Sequence, residues 1–123
     1  MSYDEAKEFW ESIIPEERKR RKRVFVSFPF ADNPAVNRLQ NLELLYVLRE
    51  KYDHLFISPL LLFGYLDTDE GNREDIMAYC KGMISYLSDE LWSFGTSEGC
   101  MMEREFAKKA GVPVYILRKE DLK

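Results

Sequence analysis

The chain predicts an α/β domain of three layers, with a four- or five-stranded, mainly parallel sheet between helices and an extra helix ahead of it. Three observations predict this. Short runs of apolar and β-forming residues at 24–28, 54–58, 91–94 and 114–117 alternate with longer stretches of helical periodicity. The first three runs stop at Pro29, Pro59 and Gly95, residues that turn a chain out of a strand. The segment SDELWSFGTSEGCMMEREFAKKAGVPVYIL, 88–117, reads as strand, glycine-bearing turn, helix and strand. Two strands joined through a helix run parallel, with a right-handed crossover.

Composition sets the bounds. A chain of 123 residues with 46% hydrophobic and 14% aromatic residues can bury a core without disulfides or metal. Its net charge of −4 argues against non-specific nucleic-acid binding as the main task. There is no apolar run of membrane-spanning length, and the opening MSYDEAKEF is acidic rather than signal-like. A soluble, cytoplasmic protein is expected, with Cys80 and Cys100 as free thiols. No CxxC pair, histidine cluster or carboxylate ladder is present, so neither a metal nor a cofactor is expected. His54, the only histidine, excludes any mechanism needing two.

In chain order, residues 1–23 read as an amphipathic helix and a basic linker, and 24–123 as the α/β domain. The helix covers about 3–14, with Tyr3, Ala6, Phe9, Trp10, Ile13 and Ile14 on one stripe, and Pro15 ends it. It packs on its own sheet or on a second subunit. The basic run from Arg18 to Arg23 could be a nucleic-acid patch, a localisation signal or a solvated linker that draws in anionic substrate. No aromatic residue is interleaved in it to stack bases. Val24–Phe28 is then a central parallel strand. The loop Pro29–Pro34 at its carboxyl end is either a ligand loop or a plain connection. The next helix spans about 35–51 with Leu39, Leu42, Leu45, Tyr46 and Leu48 inward, and Asn37 and Arg38 in its first turn.

Residues 54–58 form the second strand, and His54 opens it at the end away from the expected site, which makes it structural. The segment LLLFGYLDTDEGN, 60–72, is apolar and then acidic. It reads as a lid placing Phe63 or Tyr65 against a base, a short core helix, or a dimer contact. A helix over 73–87 turns Ile76, Tyr79, Cys80, Met83, Ile84 and Leu87 inward, with Arg73, Glu74 and Asp75 in its first turn.

After the strand at 91–94, Gly95–Gly99 opens a helix whose apolar face is Met102, Phe106, Ala107 and Ala110, with Gly111 at C′. That helix N-terminus lies at the carboxyl edge of the sheet, where open α/β folds bind ligands. Ser97 can cap the helix or hold an anion, Gly99 lets amides approach a ligand, and Glu103 lies one turn deeper on the same face. The plainer alternative is an N-cap serine with Glu103 and Glu105 on the solvent side. Cys100 beside the turn is a reactive thiol if the helix dipole lowers its pKa, or a packed small side chain.

VFVSFPF, a second strand ending in Ser-Pro, ELWSF, then Ser97-x-Gly99-x-x-x-Glu103-x-x-x-Ala107 and Gly111-x-Pro113-Val114 together resemble the nucleoside 2-deoxyribosyltransferase-like superfamily across 24–117. The resemblance implies flavodoxin- or Rossmann-like winding. It also implies a glutamate at Glu103 that attacks C1′ of a nucleoside or stabilises the ribosyl cation. Serine at position 97, where members accepting free nucleosides carry aspartate, resembles deoxynucleoside 5′-monophosphate N-hydrolases and implies a nucleotide substrate, with Ser97 and Gly99 on its phosphate. Asn37, Arg73 and Pro29 are the further nucleotide-binding candidates. A similar helix and an arginine like Arg73 recur in short phage and bacterial members without a settled activity. The superfamily's second acid corresponds roughly to Lys81, which is no carboxylate; Asp75, Glu74 or Asp89 would have to substitute.

The implied activity is cleavage or transfer of the N-glycosidic bond of a (deoxy)nucleoside 5′-monophosphate, by a homodimer, since superfamily pockets are often completed by a neighbour. A non-catalytic nucleotide-binding module of the same fold is the alternative. Val24–Phe28 with Cys100-x-x-Glu103 also resembles TIR-type NAD-cleaving domains, though Asp89-Glu90 and Gly-Val-Pro-Val fit the first pattern better.

Overall fold

Four strands, β1 (Arg23–Ser27), β2 (Leu55–Ile57), β3 (Glu90–Ser93) and β4 (Val114–Ile116), form one sheet in the order β2-β1-β3-β4. All three pairings are parallel. The structure is a computed structural model that describes residues 2–16, 21–29, 33–66 and 69–122. Arg18 to Arg20 of the basic run, Phe30 to Asp32 of the first loop, and Asp67 and Thr68 lie outside the described residues.

The helices are α1 (Tyr3–Ser12), α2 (Pro34–Lys51), α3 (Pro59–Phe63), α4 (Glu70–Gly82) and α5 (Glu98–Lys109). A π-helical turn, Met83–Leu87, extends α4, and a 3₁₀ turn, Lys119–Leu122, follows β4. This is a three-layer α/β fold of the flavodoxin or Rossmann type. Alternation along the strands builds two cores. Val24, Val26 and Trp92 pack with Leu44 and Leu48 of α2 on one face. Phe25 and Leu91 pack with Cys80, Ile84, Ala107 and Val112 on the other. So α2 covers one face and α4 and α5 the opposite one.

Helix ends follow their chemistry. The side chains of Ser2, Asn33, Asp69 and Ser97 cap α1, α2, α4 and α5 by accepting backbone N–H bonds. Gly111, at φ 78°, ends α5: its N–H reaches the Lys108 carbonyl and the Val112 N–H reaches that of Ala107.

Three expected faces differ. In α2 the buried residues are Asn41, Leu44 and Leu48, while Leu39, Leu42 and Tyr46 are exposed. Asn41 belongs there because the Ser58 hydroxyl donates to its Oδ1 at 2.5 Å, tying α2 to the end of β2. In α4, Tyr79 faces solvent because the stripe through Cys80 and Ile84 meets the sheet. In α5 the buried residues are Cys100, Glu103, Arg104 and Ala107, and Met102 is exposed. Of α1, Tyr3 rests on Tyr86 and donates its hydroxyl to the Ser85 carbonyl, whereas Phe9, Trp10 and Ile13 are exposed.

Candidate active site

The strand order reverses at β1. The connection through α2 leads from β1 to one edge, and the connection through α4 returns across β1 to β3 on the opposite face. A crevice therefore opens between the carboxyl ends of β1 and β3, the position at which such sheets bind ligands. Each strand ends there in a buried serine, Ser27 and Ser93, and the two are register partners.

Glu103 sits under this crevice with 7% of its surface exposed. The Ser27 hydroxyl donates to its Oε1 at 2.6 Å. Burial pushes the carboxyl up to about 7, against the hydrogen bonds of Ser27 and Cys80, which hold it down. The Cys80 thiol is in turn driven above its ordinary range by burial and by the neighbouring Glu103. It is an inert hydrogen-bond partner there and no nucleophile.

Above Glu103 lies an open cleft of about 1110 Å³. Val26 and Phe28 form its wall on the β1 side, and Pro59, Leu60 and Phe63 form the α3 side. From α4 come Glu70, Arg73, Glu74, Cys80 and Lys81, and from the start of α5 Ser97, Gly99 and Cys100. The cleft thus combines an apolar side with cations, carboxylates and a helix N-terminus. A smaller depression of about 410 Å³, lined by Arg21, Arg49, Lys51 and His54, lies at the amino end of the sheet.

Of the residues expected in the site, Ser97, Gly99, Glu103 and Arg73 line the cleft together. The Ser97 hydroxyl also accepts the Cys100 N–H at 3.3 Å as the cap of α5. A Cβ at Gly99 would meet nothing within 4 Å, so the space over that backbone is open. Asn37, in the first turn of α2, is not among the described residues lining the cleft. Pro29 does not line it either. Its ring presses on Gly95, where any Cβ would collide with it, and so joins the loops after β1 and β3.

The same geometry sorts the other expectations. Cys100, 1% exposed, is a packed small side chain. Phe63 lines the cleft, whereas Tyr65 is exposed outside it. His54 stacks on Tyr52 and meets the Trp92 edge at the amino end. Of the substitute acids, Glu74 lines the cleft, while Asp89 is bound to Arg23 at the opposite end of the sheet. Among the described residues no group of His, Cys, Asp and Glu is placed to hold a metal ion, and no helix is long and apolar enough to cross a membrane.

Ser27 and Glu70 are not singled out by the sequence, and Cys80 and Lys81 enter it only as an inward-facing free thiol and as the position corresponding to the superfamily's second acid, not as members of the site. A signal for Ser27 exists: both VFVS and ELWS end an apolar strand with a serine at the ligand-binding edge. No family model, no curated protein and no solved structure matches the chain.

Proposed function

We propose that the cleft binds a (deoxy)nucleoside 5′-monophosphate and cleaves or transfers its N-glycosidic bond, with Glu103 as the nucleophile. The observation that carries this function is a buried carboxyl, titrating near 7, at the floor of an open cleft at the β1–β3 crevice. Among the described residues Glu103 is held by a hydroxyl and a thiol and by no cation, and a carboxyl perturbed by burial in a cleft is the kind of group that collects at functional sites.

The chemistry follows from the cleft's residues. With its proton released to solvent, Glu103 attacks C1′ from below. The C1′–N bond breaks, its electron pair stays on the base nitrogen, and that nitrogen takes a proton from solvent, relayed by Glu74 on the cleft wall. Water then hydrolyses the glycosyl ester, or an acceptor takes the sugar. The transition state is oxocarbenium-like, so a carboxylate under C1′ favours it strongly. Arg73, Lys81 and the free amides around Ser97 and Gly99 supply positive potential for the phosphate. Phe28, Leu60 and Phe63 offer apolar surface to the base. We further place the protein in the cytoplasm, where both thiols stay reduced, and as a homodimer through the exposed Phe9 and Trp10 of α1 and Ile13 at its end.

A second function, nucleotide binding without catalysis, draws support from Lys81, a cleft-lining cation at the position where the resemblance implies a second acid. Thermal-shift binding across nucleosides, their 5′-monophosphates and NAD, followed by chromatography for free base, separates the two. Stabilisation by monophosphates with base release supports the glycosidase. Stabilisation without release supports the binding module, NAD cleavage redirects the substrate class, and no response from any ligand refutes both. A ligand at a hundred times its dissociation constant stabilises by about 2.7 kcal/mol, well within detection.

A further inference from the structure

Glu103 is followed on α5 by a second buried charge, Arg104, 8% exposed. Successive helix residues point about 100° apart, so the two side chains reach different strands. Glu103 is held by Ser27 at the end of β1, and Arg104 is held by Ser93, the register partner of Ser27, at the end of β3. The guanidinium makes three contacts. Nε donates to Ser93 Oγ at 2.7 Å, one terminal nitrogen donates to the Gly95 carbonyl at 2.5 Å, and the other lies 3.3 Å from Met101 Sδ. All three acceptors are neutral, and among the described residues Arg104 has no carboxylate partner within 4.0 Å. A buried cation is costly unless its hydrogen bonds compensate it. Charge pairing therefore does not account for Arg104, and its bonds to one turn do.

That turn is the one that carries the cleft rim. Between β3 and α5 it is held by the Phe94 N–H on the Ser27 carbonyl at 2.9 Å and by the Pro29 ring against Gly95. Among the described residues, the Gly95 carbonyl accepts besides Arg104 only the Ser93 hydroxyl, at 3.4 Å. Three residues later the α5 amides begin at the cleft. The geometry points to Arg104 as the positioning residue of the rim: it clasps the 93–95 turn and so sets Ser97, Gly99 and the first-turn amides of α5 for an anionic ligand group. Arg104 is not among the residues lining the cleft. It acts through the turn.

The ligand arm of the test rests on the nucleotide function proposed above, and the exchange arm does not. Lysine, with one compact ammonium, cannot hold Ser93 Oγ and the Gly95 carbonyl in the same fork. In Arg104→Lys, amide hydrogen exchange at residues 96–101 rises roughly tenfold, while that of residues 24–27 and 91–93 is unchanged. The dissociation constant for a deoxynucleoside 5′-monophosphate rises roughly tenfold, and that for the matching unphosphorylated nucleoside changes less than about twofold. Should Arg104→Lys fail to fold, Ser93→Ala removes one acceptor of the guanidinium and gives a smaller rise in the same amides. Unchanged exchange at 96–101 overturns the assignment, as does an equal loss for monophosphate and nucleoside. If the parent protein binds neither compound, the nucleotide function falls and exchange alone decides the role of Arg104.

Discussion

Glu103 carries its charge in the folded protein only above a pH of about 7, whereas an exposed glutamate ionises near 4.5. Between those values the folded state keeps a proton that the unfolded chain has released. Stability is therefore highest below about pH 4.5, falls as pH rises towards 7, and is level above it as far as this group is concerned. The gap corresponds to about 3 kcal/mol. Glu103→Gln removes the charge and keeps the shape, so urea unfolding at pH 8 should show a gain of up to about 3 kcal/mol, shrinking towards pH 5. A loss of stability at pH 8 would contradict the burial argument. Catalysis runs the other way. If the carboxylate is the nucleophile, kcat/KM rises through an apparent pKa near 7, the pH range in which the fold has given up that stability.

At the scale of elements, the strands were legible because parallel central strands must be almost continuously apolar, as Val24–Val26 and Leu91–Trp92 are. Helix faces were less so. Apolar residues crowd α2 from Leu39 to Leu48, so spacing alone selects Leu39, Leu42 and Tyr46 as readily as Leu44, and only the packed sheet decides. Leu44→Ala should cost about 2–5 kcal/mol in denaturant unfolding, and Leu39→Ala within about 0.5 kcal/mol. Equal costs would show that the assigned face is wrong. In α5 the buried stripe contains Glu103 and Arg104, which no hydrophobic pattern announces. Turns give a sharper test. Gly111→Ala, at positive φ with open space around it, should cost about 1–2 kcal/mol by strain alone. Gly95→Ala meets the Pro29 ring and should also weaken ligand binding by displacing the rim, which calorimetry on any bound nucleotide would register.

For the whole molecule, the order β2-β1-β3-β4 brings residues far apart in sequence to one crevice. The Ser97–Glu103 unit was legible because it is local: one turn of one helix after one strand. Arg73 and Glu74 were visible as a first helical turn, but that α4 packs beside α5 on one face of the sheet, bringing them to the crevice, follows from crossover handedness and the two separate cores. Ser27 and Cys80, which hydrogen-bond Glu103 and partly offset the effect of its burial, come from β1 and α4 and meet it only through tertiary packing. We propose that Glu103 breaks an N-glycosidic bond in this cleft. The most direct test is chromatographic measurement of free base released from a panel of (deoxy)nucleoside 5′-monophosphates by the parent protein and by Glu103→Gln, with binding of both verified by calorimetry. The expected result is base released by the parent and at least about a hundredfold less by the variant, which still binds. Equal release by both, or binding by the parent with no release, would contradict it.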